Sequence, residues 1–476
     1  MDARVEAGRP SGELRRALIP FALAQFICSF AGSNMNVMIN DMSADLGTTV
    51  QGIQIAITIF LLVMAVLMIP GGKLTDRFGR KRCFTAGLVI YGVGALLSAV
   101  APGLGVLIIG NSILEGVGTA LLIPPVYILT TLLFTDLASR ARAFGAISAL
   151  GGIGAAAGPL IGGFITSAFS WRASFVLQAL IVAVIVVLSR RWVRDPLPPD
   201  PTRPFDVGGA VLSAVGLLFI VTGILAADNS LWLMSGLLLA GALVLTWFFV
   251  SMRAKERAGR EALLSLTLFG SRTSNLGLIT QNVQWLMLMG TSFTVSAYLQ
   301  VVRGYNAVET GLVFTATTVG LLVSSLAAER LATRRAQRTI IVAGFVITIG
   351  GVVTGLVLVS GTSPVWTLLP GLCLIGLGLG AMLTPSVNIV QSSFGEEMQG
   401  EISGLSRSVS NLGSSLGAAL AGTILVAGLT VTPERSYALA MVAVGAAGII
   451  GLIAALLLPR RLGKPAPALG EPAPAA

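Results

Sequence analysis

Apolar runs of about twenty residues recur along almost the whole chain, separated by short charged segments. A run of that length spans the ~30 Å hydrocarbon layer of a bilayer as a helix, and inside that layer a helix satisfies its own backbone polar groups. The pattern is that of a polytopic helical membrane protein. Composition agrees: 54% of the 476 residues are hydrophobic and 11% are charged, with a mean hydropathy of +0.87. Soluble domains carry about 25% charged residues. The 57 glycines fit as well, because small residues let membrane helices approach closely.

The runs predict fourteen helices, near 17–39, 52–71, 83–101, 105–130, 141–168, 172–189, 207–227, 230–250, 273–301, 308–328, 339–360, 365–390, 402–428 and 435–458. An even count puts both ends on one side of the membrane. Of the 31 Lys and Arg, 28 fall on the side of the termini, and only Arg172, Arg303 and Arg435 fall on the other. Basic residues mark the cytoplasmic face, so both termini are expected there, in a multi-pass protein of the cell membrane. The net charge of +10 is dispersed among these loops and reads as orientation in the bilayer, not as a nucleic-acid surface. The first apolar run is too long for a signal-peptide core and is kept as a helix. Cys28, Cys83 and Cys373 are isolated, and no metal or disulfide spacing is present. No cofactor is expected.

The expected organisation is a cytoplasmic tail (1–16), a six-helix bundle (17–195), a linker (196–206), a helix pair (207–250), a second linker (251–272), another six-helix bundle (273–459) and a disordered Pro/Ala-rich tail (460–476). Arg194-Asp195-Pro196-Leu197-Pro198-Pro199-Asp200-Pro201 cannot continue a helix and closes the first half. The two bundles repeat each other. The fifth run carries Gly145-x8-Gly154-x3-Gly158, and the thirteenth carries Gly404-x8-Gly413-x3-Gly417. Asp76-Arg77 after the second run has a degraded echo in Glu329-Arg330 after the tenth.

Among the 21 acidic residues, only Glu115 lies deep in an apolar run. A charge there costs at least ~2.5–3.5 kcal/mol, so Glu115 must face a wet cavity, pair with a partner or carry a proton. With no His in the chain, carboxylates are the natural protonatable groups near neutral pH. Asn111, Glu115 and Thr119 form one polar stripe at i, i+4 and i+8. A carboxyl so placed suits proton coupling; it equally suits a permanently protonated acid that bonds a neighbouring helix. Further stripes are Gln25, Ser29, Ser33, Asn36 and Asn40 on the first run, and Gln281, Trp285, Ser292 and Ser296 on the ninth. The twelfth carries Thr384, Asn388 and Gln391. The ring face of Trp285 can hold an organic cation. Such residues also serve as glue between membrane helices.

Two motifs carry a family resemblance. Gly72-Lys73-Leu74-Thr75-Asp76-Arg77-Phe78-Gly79-Arg80-Lys81, with five basic residues from Lys73 to Arg82, resembles the G-x-L-x-D-R-x-G-R-K signature of the major facilitator superfamily. Gly145, Gly154, Gly158, Pro159, Gly162 and Gly163 fill every specified position of its antiporter motif, G-x8-G-x3-G-P-x-x-G-G. In the first, Gly79 permits a tight turn and Asp76 can bond a helix N-terminus or pair with Arg80, a cytoplasmic latch made in one access state and broken in the other. In the second, Gly154, Gly158 and Gly162 form a smooth packing face and Pro159 permits a kink.

The resemblance covers about residues 15–460 and implies two six-helix halves with a substrate site between them. It implies that the first and fourth helices of each half line the cavity, and that the extra pair marks the fourteen-helix drug:proton antiporters. The chain departs from that family at two places. Ala31 stands where the first helix usually has Asp, with only Asn36 and Val37 of that pattern kept. Ser112-Ile113-Leu114-Glu115-Gly116 replaces R-x-x-Q-G in the fourth helix. Proton coupling therefore cannot be carried over residue by residue; either Glu115 has taken it on or coupling is altered or absent. Asp41 is a weaker substitute. The expected function is export of hydrophobic or cationic compounds in exchange for protons, by a monomer in the bilayer. The alternatives are a specific metabolite exporter or an uncoupled facilitator. No catalytic dyad is present, and no enzyme activity is expected.

Overall fold

A computed structural model describes residues 11–134, 137–196, 198–202, 205–227, 230–332, 336–358, 364–394, 398–428 and 431–459. The expected tail 460–476 and the first ten residues lie outside them. Thirteen helices among the described residues are long and apolar enough to cross a bilayer, and one bent pair brings the count to fourteen. They are α1 (Arg16–Asp45), α2 (Val50–Thr75), α3 (Arg80–Ala99), α4 (Leu104–Leu133), α5 (Leu137–Ala168), α6 (Trp171–Trp192), α7 (Val207–Leu225) and α8 (Leu231–Arg257). The second half continues with α9 (Arg272–Val302), α10 (Ala307–Ala328), α11 (Gln337–Leu358), α12 (Val365–Gln391), α13 (Glu401–Ala427) and α14 (Pro433–Leu457). All fourteen predicted runs are present.

The differences from the sequence reading are local. Helical structure begins at Ser11, inside the expected N-terminal tail, and α1 continues to Asp45 through a tight turn at Met35–Met38. The extension lifts Asn40 and Asp41 to exposed positions, so Asn40 leaves the buried stripe. The bend of α5 is 43°, between Arg142–Ala155 and Ala157–Ala168. Pro159 lacks the N–H that would bond the carbonyl four residues back, which relaxes the helix there.

The chain forms two compact units, Met1–Phe205 with Asn306–Gly311, and Asp206–Tyr305 with Leu312–Ala476. The helix pair α7 and α8 and its following linker therefore cluster with the second unit. Inside the first unit α1 packs on α5 and α6, α3 on α4 and α6, and α2 on α4. Inside the second, α9 packs on α13 and α14, and α11 on α12 and α14. Four of these five pairings recur helix for helix in the second unit, and the fifth recurs where Gly376 of α12 meets the Thr317 carbonyl of α10.

The glycines show why. A methyl group added at Gly154 would strike the Phe26 carbonyl of α1, and one at Gly158 would strike Ser33. In the second unit, Gly413 sits on the Asn282 carbonyl of α9 and Gly417 on that of Leu286. Gly145 and Gly404, the first glycines of each spacing, have open space around them. The outward faces are apolar: Val89, Val93 and Leu96 of α3, and Leu180, Val184 and Val187 of α6, are exposed at helical spacing. A lipid-facing surface accounts for them.

Arg172, in the first turn of α6, is a clamp. Its guanidinium pairs with Asp45 at the end of α1, donates to the Ala101 carbonyl at 2.9 Å and lies 4.3 Å over the Trp171 ring. In the second unit Asp206, the N-cap of α7, is a comparable hub. It accepts from the Gly209 N–H at 2.7 Å, from Lys255 Nζ at 2.5 Å and from the Leu263 N–H at 3.2 Å. Burial alone would raise its pKa; the Lys255 ammonium and the two amides outweigh that and hold it below the ordinary carboxylate value.

Two outcomes follow. Gly154→Ala lowers stability by about 1–3 kcal/mol through overpacking, whereas Gly145→Ala is close to neutral, as thermal unfolding of the purified proteins reads. Because the folded carboxyl of Asp206 is depressed, its stabilisation is complete above the unfolded pKa of ~3.9 and fades as pH falls through the folded value. Asp206→Asn is therefore less stable than wild type at pH 7 by about 1–3 kcal/mol, and the two converge in acid.

Candidate functional site

Glu115 closes a π-helical segment of α4, Ile108–Glu115, and is fully buried. Such segments inside α-helices are frequent at functional sites, because the wider turn turns a side chain away from its regular direction. The segment packs against α3, where a methyl group at Gly94 would approach the Glu115 N–H at 2.9 Å. The Ser98 hydroxyl of α3 donates to Glu115 Oε1 at 3.4 Å. The Tyr91 hydroxyl lies beside the same carboxyl and donates to Gln178 Oε1 of α6 at 2.6 Å. Ser98, Tyr91 and Gln178 are all at 0% exposure.

Oε2 of Glu115 has no hydrogen-bond partner, and among the described residues no Lys or Arg pairs with the carboxyl. Two further groups nearby in α4 and α6 are also incompletely bonded: both amide atoms of Asn111, and Nε2 of Gln178. Thr119, the third member of the stripe, accepts from Cys28 Sγ of α1 at 3.7 Å. The stripe therefore faces the interior of the first unit. It meets α1 and α3 directly and α6 through Tyr91. Ser98, Tyr91 and Gln178 were missed from the sequence; a lone amide within the aliphatic run 172–189 was the available signal.

On α1, Gln25 donates to Ser29 at 3.2 Å and accepts from the Tyr127 hydroxyl at 3.2 Å, while its chain lies against Gly151. Ser33 bonds carbonyls of its own helix, and Asn36 is buried at 1% exposure. The neighbouring Asn34, not singled out beforehand, donates to Ser174 of α6 at 2.8 Å and rests against Gly162. In the second unit Gln281 accepts from Ser406 at 2.8 Å, joining α9 to α13. Gln284 accepts from Ser386 at 3.0 Å and donates to the Leu379 carbonyl at 3.1 Å, joining α9 to α12. Trp285, Ser292 and Asn388 are half-buried, Ser296 is buried and Thr384 is exposed. Gln391 donates to Ser403 at 3.4 Å. Gln25 and Gln281 correspond in the repeat, since each precedes the residue on which the fifth helix of its unit rests its glycine.

At the α2–α3 turn, Gly79 has φ +95°, the conformation expected of a glycine there. Gly72 is half-buried near Pro124, Arg77 lies 5.7 Å over the Phe78 ring, and Arg80 is buried. The side chain of Asp76 lies outside the described residues. Among the described residues, Asp195 of the linker accepts from the Lys81 N–H at 3.2 Å in the first turn of α3. In the antiporter motif, Gly163 approaches the Ala307 carbonyl, and Gly311 the Pro159 carbonyl, within the first unit.

These features describe an all-helical membrane protein with a repeated six-helix plan and, among the described residues, one buried, uncompensated acid. The Major Facilitator Superfamily profile matches residues 21–418 and 277–475. The puromycin resistance protein pur8 of Streptomyces alboniger is 31% identical over 413 residues, which is 86% of this chain and 81% of that protein. A probable actinorhodin transporter of Streptomyces coelicolor is 30% identical, over 88% of this chain and 74% of its own. The crystal structure of a POT family transporter in complex with 5-aminolevulinic acid shares the fold, with a TM-score of 0.68 over 95% of this chain and 98% of that one at 15% identity. The chain belongs to the major facilitator superfamily.

The Tyr91–Gln178 bond is wholly buried, so Tyr91→Phe leaves an acceptor without a donor and lowers stability by about 1–3 kcal/mol. Tyr127→Phe, at a half-buried bond, costs less. Paired thermal unfolding curves check the order.

Proposed function

We propose that this protein exports hydrophobic or cationic small molecules across the cell membrane in exchange for protons, with both termini in the cytoplasm. The single observation that carries the coupling is the fully buried Glu115, with no cation paired to it among the described residues. An ion there is expensive without compensation, so the carboxyl is stable protonated and ionises only when the surroundings open to water or bring a positive charge. Proton and substrate cation then exclude one another, and each departure favours the other's entry, a coupling free energy in the linkage sense. One such acid predicts about one proton per cycle at this site.

The two six-helix bundles alternate access, working as a monomer. Gln25, Ser29, Ser33, Asn36, Asn111 and Thr119 contribute the polar surface of the first bundle, and Gln281, Trp285 and Asn388 that of the second. The turn with Gly72, Asp76, Arg77, Gly79 and Arg80 acts as the cytoplasmic latch. Within the motif Gly145, Gly154, Gly158, Pro159, Gly162 and Gly163, the glycines at Gly154, Gly158 and Gly162 set how closely α5 follows α1. Similarity to a puromycin resistance protein and a probable actinorhodin transporter supports export. Both relatives are named for a single compound, which also favours a second reading, a specific metabolite exporter.

Inverted membrane vesicles with an imposed pH gradient separate these readings, with ethidium as a permanent cation. Wild type accumulates the dye only with the gradient, and Glu115→Gln accumulates none. Equal uptake by the variant removes Glu115 from coupling, and no uptake by wild type puts the specific exporter first.

A further inference from the structure

The first turn of α3 has a charge arrangement that the helix itself disfavours. Arg80, Lys81 and Arg82 occupy a helix N-terminus, where the macrodipole is already positive. Asp195 bonds one amide of that turn, and the last turn of α6 adds Arg190 on the same side. Among the described residues, neither the Arg82 nor the Arg190 guanidinium forms an ion pair or hydrogen bond.

These groups surround a cavity of about 800 Å³. Lys81, Arg82 and Arg190 line its mouth, and Lys81 Nζ is steadied there by the Arg190 carbonyl at 3.4 Å. Pro196, Pro198 and Pro199 form one wall, whose fixed φ angles preform it. The floor is apolar, made of Ala86, Val89 and Ile90 of α3. Beyond it run the exposed aliphatic residues Val93 and Leu96 of α3, and Val187 and Val184 of α6. One end is therefore cationic, with three basic groups to one carboxylate, and the other opens along a surface suited to hydrocarbon.

We propose that this groove binds an anionic phospholipid, with its phosphate between Arg82 and Arg190 and the upper part of an acyl chain along Ala86, Val89 and Ile90. A free phosphate would use the mouth and leave the apolar floor unfilled, and an organic cation would meet like charge. Guanidinium groups suit phosphate oxygens, which they bind two at a time. The bound lipid supplies the negative charge that the start of α3 lacks and ties the proline linker to the α2–α3 turn. The site stands whether or not Glu115 carries protons.

Native mass spectrometry of the delipidated full-length protein, with phosphatidylglycerol or phosphatidylcholine added, tests it. Wild type retains phosphatidylglycerol preferentially. The Arg82→Gln/Arg190→Gln variant binds it about thirtyfold more weakly, from roughly one surface increment per basic residue, while phosphatidylcholine is unaffected. Millimolar inorganic phosphate does not displace the lipid. Equal retention of the two lipids, an unchanged variant, or displacement by phosphate each overturns the assignment. A photoactivatable phosphatidylglycerol on the unaltered protein needs no variant to fold: labelling concentrated in 79–90 and 190–199 is expected, and labelling confined elsewhere overturns the site.

Discussion

Contact of backbone with backbone, through glycine, is what the rest of this structure depends on. Lipid tails are as apolar as leucine, so two membrane helices gain little by burying aliphatic side chains against each other. They gain by approaching closely enough for dispersion and weak Cα–H contacts to accumulate. Gly154 on Phe26 and Gly413 on Asn282 allow that approach at equivalent places in the two units. Gly87 and Gly118 do the same between α3 and α4, and Gly351 and Gly371 between α11 and α12. With helix axes drawn together in this way, polar side chains at the seams reach their partners across the gap. Gln25 and Gln281 are two such residues, each beside a glycine contact.

The same close packing leaves little room for an error of charge, and Glu115 has to be understood against it. A carboxyl between α3 and α4 is shielded from solvent by tightly apposed backbones. It is served by one long hydroxyl bond and a tyrosine whose own proton is committed to Gln178. Such a half-satisfied network is a poor way to stabilise a fold, since two apolar residues of the same shape would pack at lower cost. Its retention in the wider turn of a π segment is intelligible if the acid is used when the helices shift.

The fold was legible in the sequence because its two determinants, apolar length and glycine spacing, are local patterns. The fourteen runs and the pairing of Gly154 with Gly413 required no knowledge of contacts. Glu115 was legible because a lone acid stands out in an apolar run. Its partners were not, because Ser98, Tyr91 and Gln178 are ordinary residues until α3 and α6 are placed beside α4. Arc arithmetic does not give depth of burial: Asn40 and Thr384 share an arc with buried residues but are exposed. The contact of Asp195 was not legible for a different reason. Asp76 was the acid nearest in sequence to the start of α3, whereas Asp195 reaches that turn across 114 residues.

That long-range cap belongs to a wider use of the few acids at or near the helix ends. Where charged residues are scarce, each can be read for what it joins. Asp206 joins the start of α7 to the end of α8 and to the linker at Leu263. Glu256 accepts from the Leu266 N–H at 2.6 Å, and Glu401 at the start of α13 accepts from the Ser265 N–H at 3.4 Å. Three carboxylates in succession thus fasten the segment between α8 and α9 to both the inserted pair and the second bundle. Backbone amides in a loop would otherwise be bonded by water and leave the pair tethered only by its ends. With them fixed, and with α7 packed on α13, the inserted pair is mechanically part of the second bundle.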